Sequence, residues 1–191
     1  VDNIHKRQIN YNSQGQSELI RFFDENNTPA KHESGHYALK ETYDGKRRQI
    51  RIQYLDQRSR PVKIDDGYAE KREIWLKNKK LIRRTFYSTN GFPVNDNDGV
   101  HKTIIELNET GNIASIERYS KSGNLINNET KAAIEKYEYD HNGYRTKITR
   151  YDSEDNLVED EGGIAIMDIN YNEFGDVLDV TFYNKNEELR D

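Results

Sequence analysis

Cysteine is missing from this 191-residue chain, which removes disulfide frameworks, thiolate zinc sites and cysteine nucleophiles together. Proline is scarce, at three residues, and no tract is strongly biased in composition, so no linker stands out. No apolar run approaches the ~18 residues of a transmembrane helix, and no segment at Val1 reads as a signal peptide. Only 33% of the residues are hydrophobic while 33% are charged, a balance too polar for a thick central core.

What the chain does have is tyrosine, 13 of them, and each covers a large apolar area while its hydroxyl stays wet. That composition suits a thin, extended core. The net charge of −5 conceals a gradient: residues 1–98 carry 19 basic and 14 acidic side chains, residues 99–191 carry 10 and 20. In an array, one end is then cationic and the other anionic.

Large residues recur every 32 positions. One ladder runs through Tyr11, Tyr43, Trp75, Leu107, Tyr139 and Tyr171, a second through Phe23, Leu55, Tyr87, Tyr119, Tyr151 and Tyr183. A fixed period of this size marks units that bury their apolar faces against their neighbours, and the two ladders are the expected core. The units begin near residues 3, 35, 67, 99, 131 and 163 and make up a single repeat domain over 1–191: 3–34, 35–66, 67–98, 99–130, 131–162 and 163–191.

Within a unit the apolar spacing is two, as in Met167, Ile169 and Tyr171 with Asp168 and Asn170 between, which predicts half-buried strands. A turn follows at Gly15, Gly111, Gly143 and Gly175, where glycine supplies positive φ. Units two and three carry Arg47 and Lys79 there, which predicts turns of another kind, with Gly45 serving in the second. Small residues at Ala69, Ala133 and Ala165 predict close approach between neighbouring segments. The expected fold is all-β: an elongated antiparallel array of six 32-residue units, solenoid-like or an extended meander, with two or three short strands in each.

The Tyr-Asp-x-x-Gly type of turn, seen from Tyr139 to Gly143 and with variants at Tyr151-Asp152 and from Tyr171 to Gly175, resembles that of bacterial tandem β-hairpin repeats of the YD/RHS and MORN-like kinds. The resemblance implies a bacterial, exported or cell-surface, non-catalytic array and brings no catalytic residue with it. The 32-residue unit is longer than the usual unit of either family.

Several residue patterns bear on function. His32-Glu33-Ser34-Gly35-His36 matches HExxH, whose zinc chemistry needs both histidines on one face of a helix with the glutamate as general base. Here it sits at a corner between strands. Asp152, Glu154, Asn156 and Glu159 offer alternating oxygens but lack the glycine and final glutamate of a calcium loop. The repeat aligns Arg47 with Lys79, Arg48 with Lys80, and Arg51 with Arg83, rows of cations across two adjacent units suited to an anionic polymer or an acidic protein surface. A sequence pI near 5.6 disfavours nucleic acid.

The functional expectation is a non-enzymatic repeat scaffold for macromolecular binding, with those six cations as its binding residues and no metal or other cofactor. Head-to-tail self-association through the opposed charges is expected with it. The alternatives are a zinc-dependent hydrolase using His32, Glu33 and His36, and a carbohydrate-binding module using exposed aromatics.

Overall fold

The structure, a computed structural model, describes residues 3–76 and 80–190. Its regular elements are all strands. The first pair is β1 (Lys6–Tyr11) and β2 (Ser17–Phe23), and the second is β3 (Ala38–Tyr43) and β4 (Gln49–Leu55). Then come β5 (Glu70–Leu76) and β6 (Leu81–Tyr87), followed by β7 (Lys102–Leu107) and β8 (Ile113–Tyr119). The last pairs are β9 (Ile134–Tyr139) with β10 (Arg145–Tyr151) and β11 (Ile166–Tyr171) with β12 (Val177–Tyr183), and a two-residue β13 (Leu189–Arg190) closes the series.

The chain divides into two compact units. The first takes in the residues up to Ile74 together with Arg84–Asn97, and the second takes in Trp75–Arg83 and the residues from Asp98 onward. Within each, strands pair antiparallel in the order in which they follow one another in the chain. The expected all-β meander is what forms: of the two or three strands expected in each unit, two form in each of the first five, with β13 as a short third in the last. Its cause is the alternation of large and polar side chains, which lets a strand bury one residue in two against its neighbours.

One turn recurs throughout. In the first hairpin the Gly15 N–H donates to the Asn12 carbonyl (3.0 Å) and the Asn12 N–H to the Gln16 carbonyl (2.8 Å). The Asn12 side-chain oxygen accepts from the N–H groups of Gln14 (2.9 Å) and Gln16 (3.0 Å). The fourth residue of the turn is left-handed, and the strand shifts register between Asn10 and Tyr11. This is a type I turn closed by a bulge. The left-handed residue returns at Gly15, Asn27, Gly35, Arg47, Ser59 and Gly67, so the 32-residue period resolves into steps of 12, 8 and 12.

The turn of the second repeat is therefore not a different kind, as the loss of glycine suggested. Arg47 itself adopts φ 65°, Gly45 does not take over, and Asp44 accepts from the N–H groups of Lys46 (2.8 Å) and Arg48 (3.0 Å) as Asn12 does. The Asx side chain that gathers the turn's N–H groups keeps the geometry where glycine is missing. In the third repeat the corresponding position is Lys79, which lies outside the described residues. Leu76 stands in place of the Asx residue, and Lys80, the described residue that follows, is left-handed at φ 48°.

Each unit has its own core. In the first, aromatic rings contact one another in series: Phe22 to His36 (5.6 Å between centroids), His36 to Tyr54 (5.1 Å), Tyr54 to Tyr68 (5.8 Å) and Tyr68 to Phe86 (4.4 Å). Full burial of Phe22 and Phe86 contributes about 2–3 kcal/mol each. In the second unit the buried residues are small or aliphatic, among them Val100, Ile105, Ala132, Ala133, Ala165 and Ile166. Ala69, Ala133 and Ala165 are fully covered, as close approach requires.

The two aromatic ladders are not this core. Apart from the buried Leu55 and the exposed Tyr11, their members are half-buried. A cation lies over several rings of the second ladder: Arg72 over Tyr87 (3.9 Å), Lys102 over Tyr119 (3.9 Å) and Lys136 over Tyr151 (4.4 Å). A strand pair has water close to both faces, so a ring there is covered by the stem and charge of a neighbouring cation rather than by apolar residues alone.

A left-handed residue other than glycine or Asx carries a conformational cost, which two substitutions measure. Ser59→Gly at φ 61° should raise stability, read from the urea midpoint, by up to about 1 kcal/mol. Gly91→Ala should lower stability by about 1–2 kcal/mol, although no atom lies within 4 Å of the added methyl, because φ there is 76°.

Candidate functional site

The six cations singled out from the repeat alignment divide between the units. Arg47, Arg48 and Arg51 belong to the first, Lys80 and Arg83 to the second, and Lys79 lies outside the described residues. Arg47 is the left-handed residue of its turn, and its Nη2 donates to the Gln14 carbonyl (3.0 Å). Arg48 forks onto Asp44 Oδ2 through Nε (2.8 Å) and Nη2 (2.5 Å). Arg51 pairs with Glu70, and Lys80 Nζ donates to Glu109 Oε2 (2.7 Å). Arg83 is exposed. Three of the six, Arg48, Arg51 and Lys80, are thus matched within the protein by carboxylates that the alignment did not bring forward.

Glu70 is the centre of the strongest such cluster. It begins β5 beside the fully buried Ala69 and is itself 2% exposed. Its Oε2 accepts from Arg51 Nη2 (2.6 Å) and Gln53 Nε2 (3.2 Å), both on β4, and its Oε1 accepts from Arg72 Nε. Burial by itself pushes the carboxyl up. The hydrogen bonds and charges of Arg51 and Arg72 outweigh it and hold the carboxyl below its ordinary value. Ionised at neutral pH, Glu70 acts as an acceptor that ties β4 to β5.

The second unit has a counterpart at another place in the repeat. Glu135 accepts from Arg118 Nη2 through Oε2, while its Oε1 lies 3.8 Å from Arg150 Nε. Arg150 Nη1 reaches Asp160 Oδ2 (3.4 Å) and the Ile164 carbonyl (3.3 Å). All four side chains are largely buried. Arg118 and Arg150 occupy the position held by Phe22, Tyr54 and Phe86 in the aromatic series of the first unit. The signal for this cluster was in the repeat itself, as a change from ring to guanidinium at one register.

The remaining candidates fold as turns. His32 to His36 forms the corner, closed by the Gly35 N–H on the His32 carbonyl (2.8 Å), with Gly35 at φ 96°. The two imidazoles stack at 4.6 Å, and Glu33 is exposed. Asp152 Oδ1 accepts from the N–H groups of Glu154 (2.8 Å) and Asn156 (3.0 Å), and Glu159 Oε1 accepts from the Lys185 N–H (3.0 Å). Those oxygens serve the backbone. The exposed aromatics are Tyr11 ending β1, Phe92 in a turn, and Tyr144 and Phe174 in turns of neighbouring hairpins, where Tyr144 stacks on Tyr171 (5.1 Å between centroids).

Two strands differ from their repeat equivalents in exposure. All six residues of β1 are exposed, whereas β3, β7, β9 and β11 are each half-buried or better at most positions. In β12, Val177 is 55% exposed and Leu178 65%, next to Phe174 at 77%. Among the described residues, β12 pairs on its outer side only at Phe182 and Tyr183, with β13. The corresponding stretches of β2, β4, β8 and β10 pair with the next strand. Sequence reasoning passed over this feature because Val177 to Val180 looks like every other second strand.

No family model matches the sequence, and no curated protein matches it.

Replacing Glu70 by Gln should cost about 1–2 kcal/mol, less than for a wholly buried pair because Arg51 and Arg72 are each some two-fifths exposed. A carboxyl lowered in the folded state stabilises at pH values above its unfolded pKa, and that stability is lost as the pH falls through the folded pKa. Urea unfolding as a function of pH should therefore show acid destabilisation setting in below the ordinary carboxyl pKa of 4.5, and Glu70→Gln should flatten it.

Proposed function

We propose that this protein is a non-catalytic repeat scaffold that engages another macromolecule. The observation that carries this reading is the antiparallel hairpin repeated along the chain, its strands fastened by ion pairs such as Arg51 on Glu70 and Arg118 on Glu135. The commitment of Arg48, Arg51, Arg72, Arg118, Arg150 and Lys80 to internal carboxylates supports the same reading. Those side chains fasten strands and turns to one another, which is what a scaffold requires of them.

Immobilised peptides, glycans and polyanions tested side by side should show retention of the folded chain by at least one of these classes, lost when the chain is unfolded in urea. Retention by none of the three would overturn the proposal.

A further inference from the structure

Resting on the scaffold reading, we infer that one sheet face of β1 to β4 is a docking surface for an extended acidic peptide whose carboxylates stand at every second residue. The arrangement follows from register. Lys6 lies opposite Phe23, and Gln8 opposite Arg21. Arg21 lies opposite Ala38, and Leu19 opposite Lys40. Lys40 in turn lies opposite Gln53, and Thr42 opposite Arg51. Each cation is displaced from the one before by one strand and two residues, so Lys6, Arg21, Lys40 and Arg51 form a diagonal on a single face. Diagonal neighbours in a sheet stand about 7–8 Å apart. Alternate residues of an extended peptide, which face the same way, are about 6.5–7 Å apart, so each carboxylate meets one cation.

The cations are available for this. Arg21 and Lys40, the middle pair, make no ion pair or side-chain hydrogen bond among the described residues. Lys6 Nζ donates to a neutral acceptor, Asn27 Oδ1 (2.9 Å). Arg51 pairs with Glu70 but keeps 41% of its side chain exposed, and Arg72 lies directly opposite it on β5, so two guanidinium groups share one carboxylate at that end. Like charges so placed repel one another, and bound carboxylates remove the repulsion.

Beside the middle pair the face holds a recess of about 370 Å³, lined also by Asn10, Leu19, Gln53 and Leu55. Carboxamides both donate and accept, as a peptide backbone requires, and the leucines cover the methylenes of a glutamate. Glu18, the residue left over by the bulge of β2, lines the same recess and is matched by a peptide N–H. Polyphosphate offers it no donor. The corresponding diagonal of the second unit is Lys102, Glu117, Lys136 and Lys147, where a carboxylate interrupts the line. An unbroken row of cations is therefore not something this fold demands. Recognition of an acidic segment by a cationic cluster is the mode that fits it.

Fluorescence anisotropy of labelled synthetic peptides added to the full chain tests this. A peptide with glutamate at every second position of about seven residues should bind, more weakly as salt rises. The same residues reordered to make the glutamates contiguous should bind at least about fivefold less tightly, and polyphosphate should compete poorly. Arg21→Gln combined with Lys40→Gln should weaken binding at least about tenfold. Lys46→Gln combined with Lys63→Gln removes as much charge from exposed positions off the diagonal and should leave binding unchanged. Lys40→Glu should prefer a peptide with lysine in place of one inner glutamate. Urea midpoints equal to wild type would show that the variants fold. The inference is overturned by an alternating peptide that does not bind, by indifference to glutamate order or to the Arg21 and Lys40 pair, by equal loss in the Lys46 and Lys63 pair, or by tighter binding of polyphosphate. If the chain then still retains other peptides, glycans or polyanions, only this partner is removed, whereas retention by none of them overturns the scaffold reading as well.

Discussion

Everything here depends on one backbone constraint: a four-residue turn whose last residue is left-handed, set at intervals of 12, 8 and 12. Each turn reverses the chain, and in five of the hairpins between paired strands it is accompanied by a bulge that fixes their register. A one-residue slip would move every large side chain of a strand to the opposite face, so the turns hold the side-chain pattern in place as much as the pattern holds the strands. Among the described residues glycine serves at ten of these positions, and elsewhere the chain accepts Arg47, Ser59, Lys131 or Glu187 at a conformational cost. The Asx, Ser or His residue that opens the turn, and the ladder on either side, hold such a residue in place.

A chain with so little hydrophobic material must find cohesion between strands elsewhere. The first unit uses rings in contact from Phe22 to Phe86, and the second uses guanidinium groups held by Glu135 and Asp160 at the same repeat position. Both solutions fill similar space, but the second is sensitive to the loss of any one partner, since a buried charge left alone is costly. Tyrosine hydroxyls bonded 26 residues back add a link from a hairpin to the one before. Fastening of this kind is local and repeats with the units.

How far the fold could be read in advance differs from residue to residue. Strand identity and pairing order follow from spacing alone, because alternation and turn residues act over a few positions. Arg47 departs from expectation because the turn does not require glycine as such: it requires a left-handed φ, which Asp44 and the flanking ladder can impose on another residue. The size of the ladder residues points to the core, yet a large ring in a strand with water near both faces stays half-covered. The cationic rows were legible as rows. That Arg51 belongs to Glu70 was not, since the two stand 19 residues apart on different strands and at different places in the repeat.

By itself the sequence determined the all-β character of the protein, the 32-residue repeat of its hairpins and most of the positions at which the chain turns, while leaving two or three strands to a unit. All of these rest on interactions between residues near one another in the chain. The tertiary structure alone decided which charges are buried and paired, which rings make the core, and that Val177 to Val180 and the whole of β1 are exposed. Those outcomes depend on what lies across the ladder from each residue. Strands of nearly the same composition become half-buried or exposed according to whether a neighbour is there to cover them.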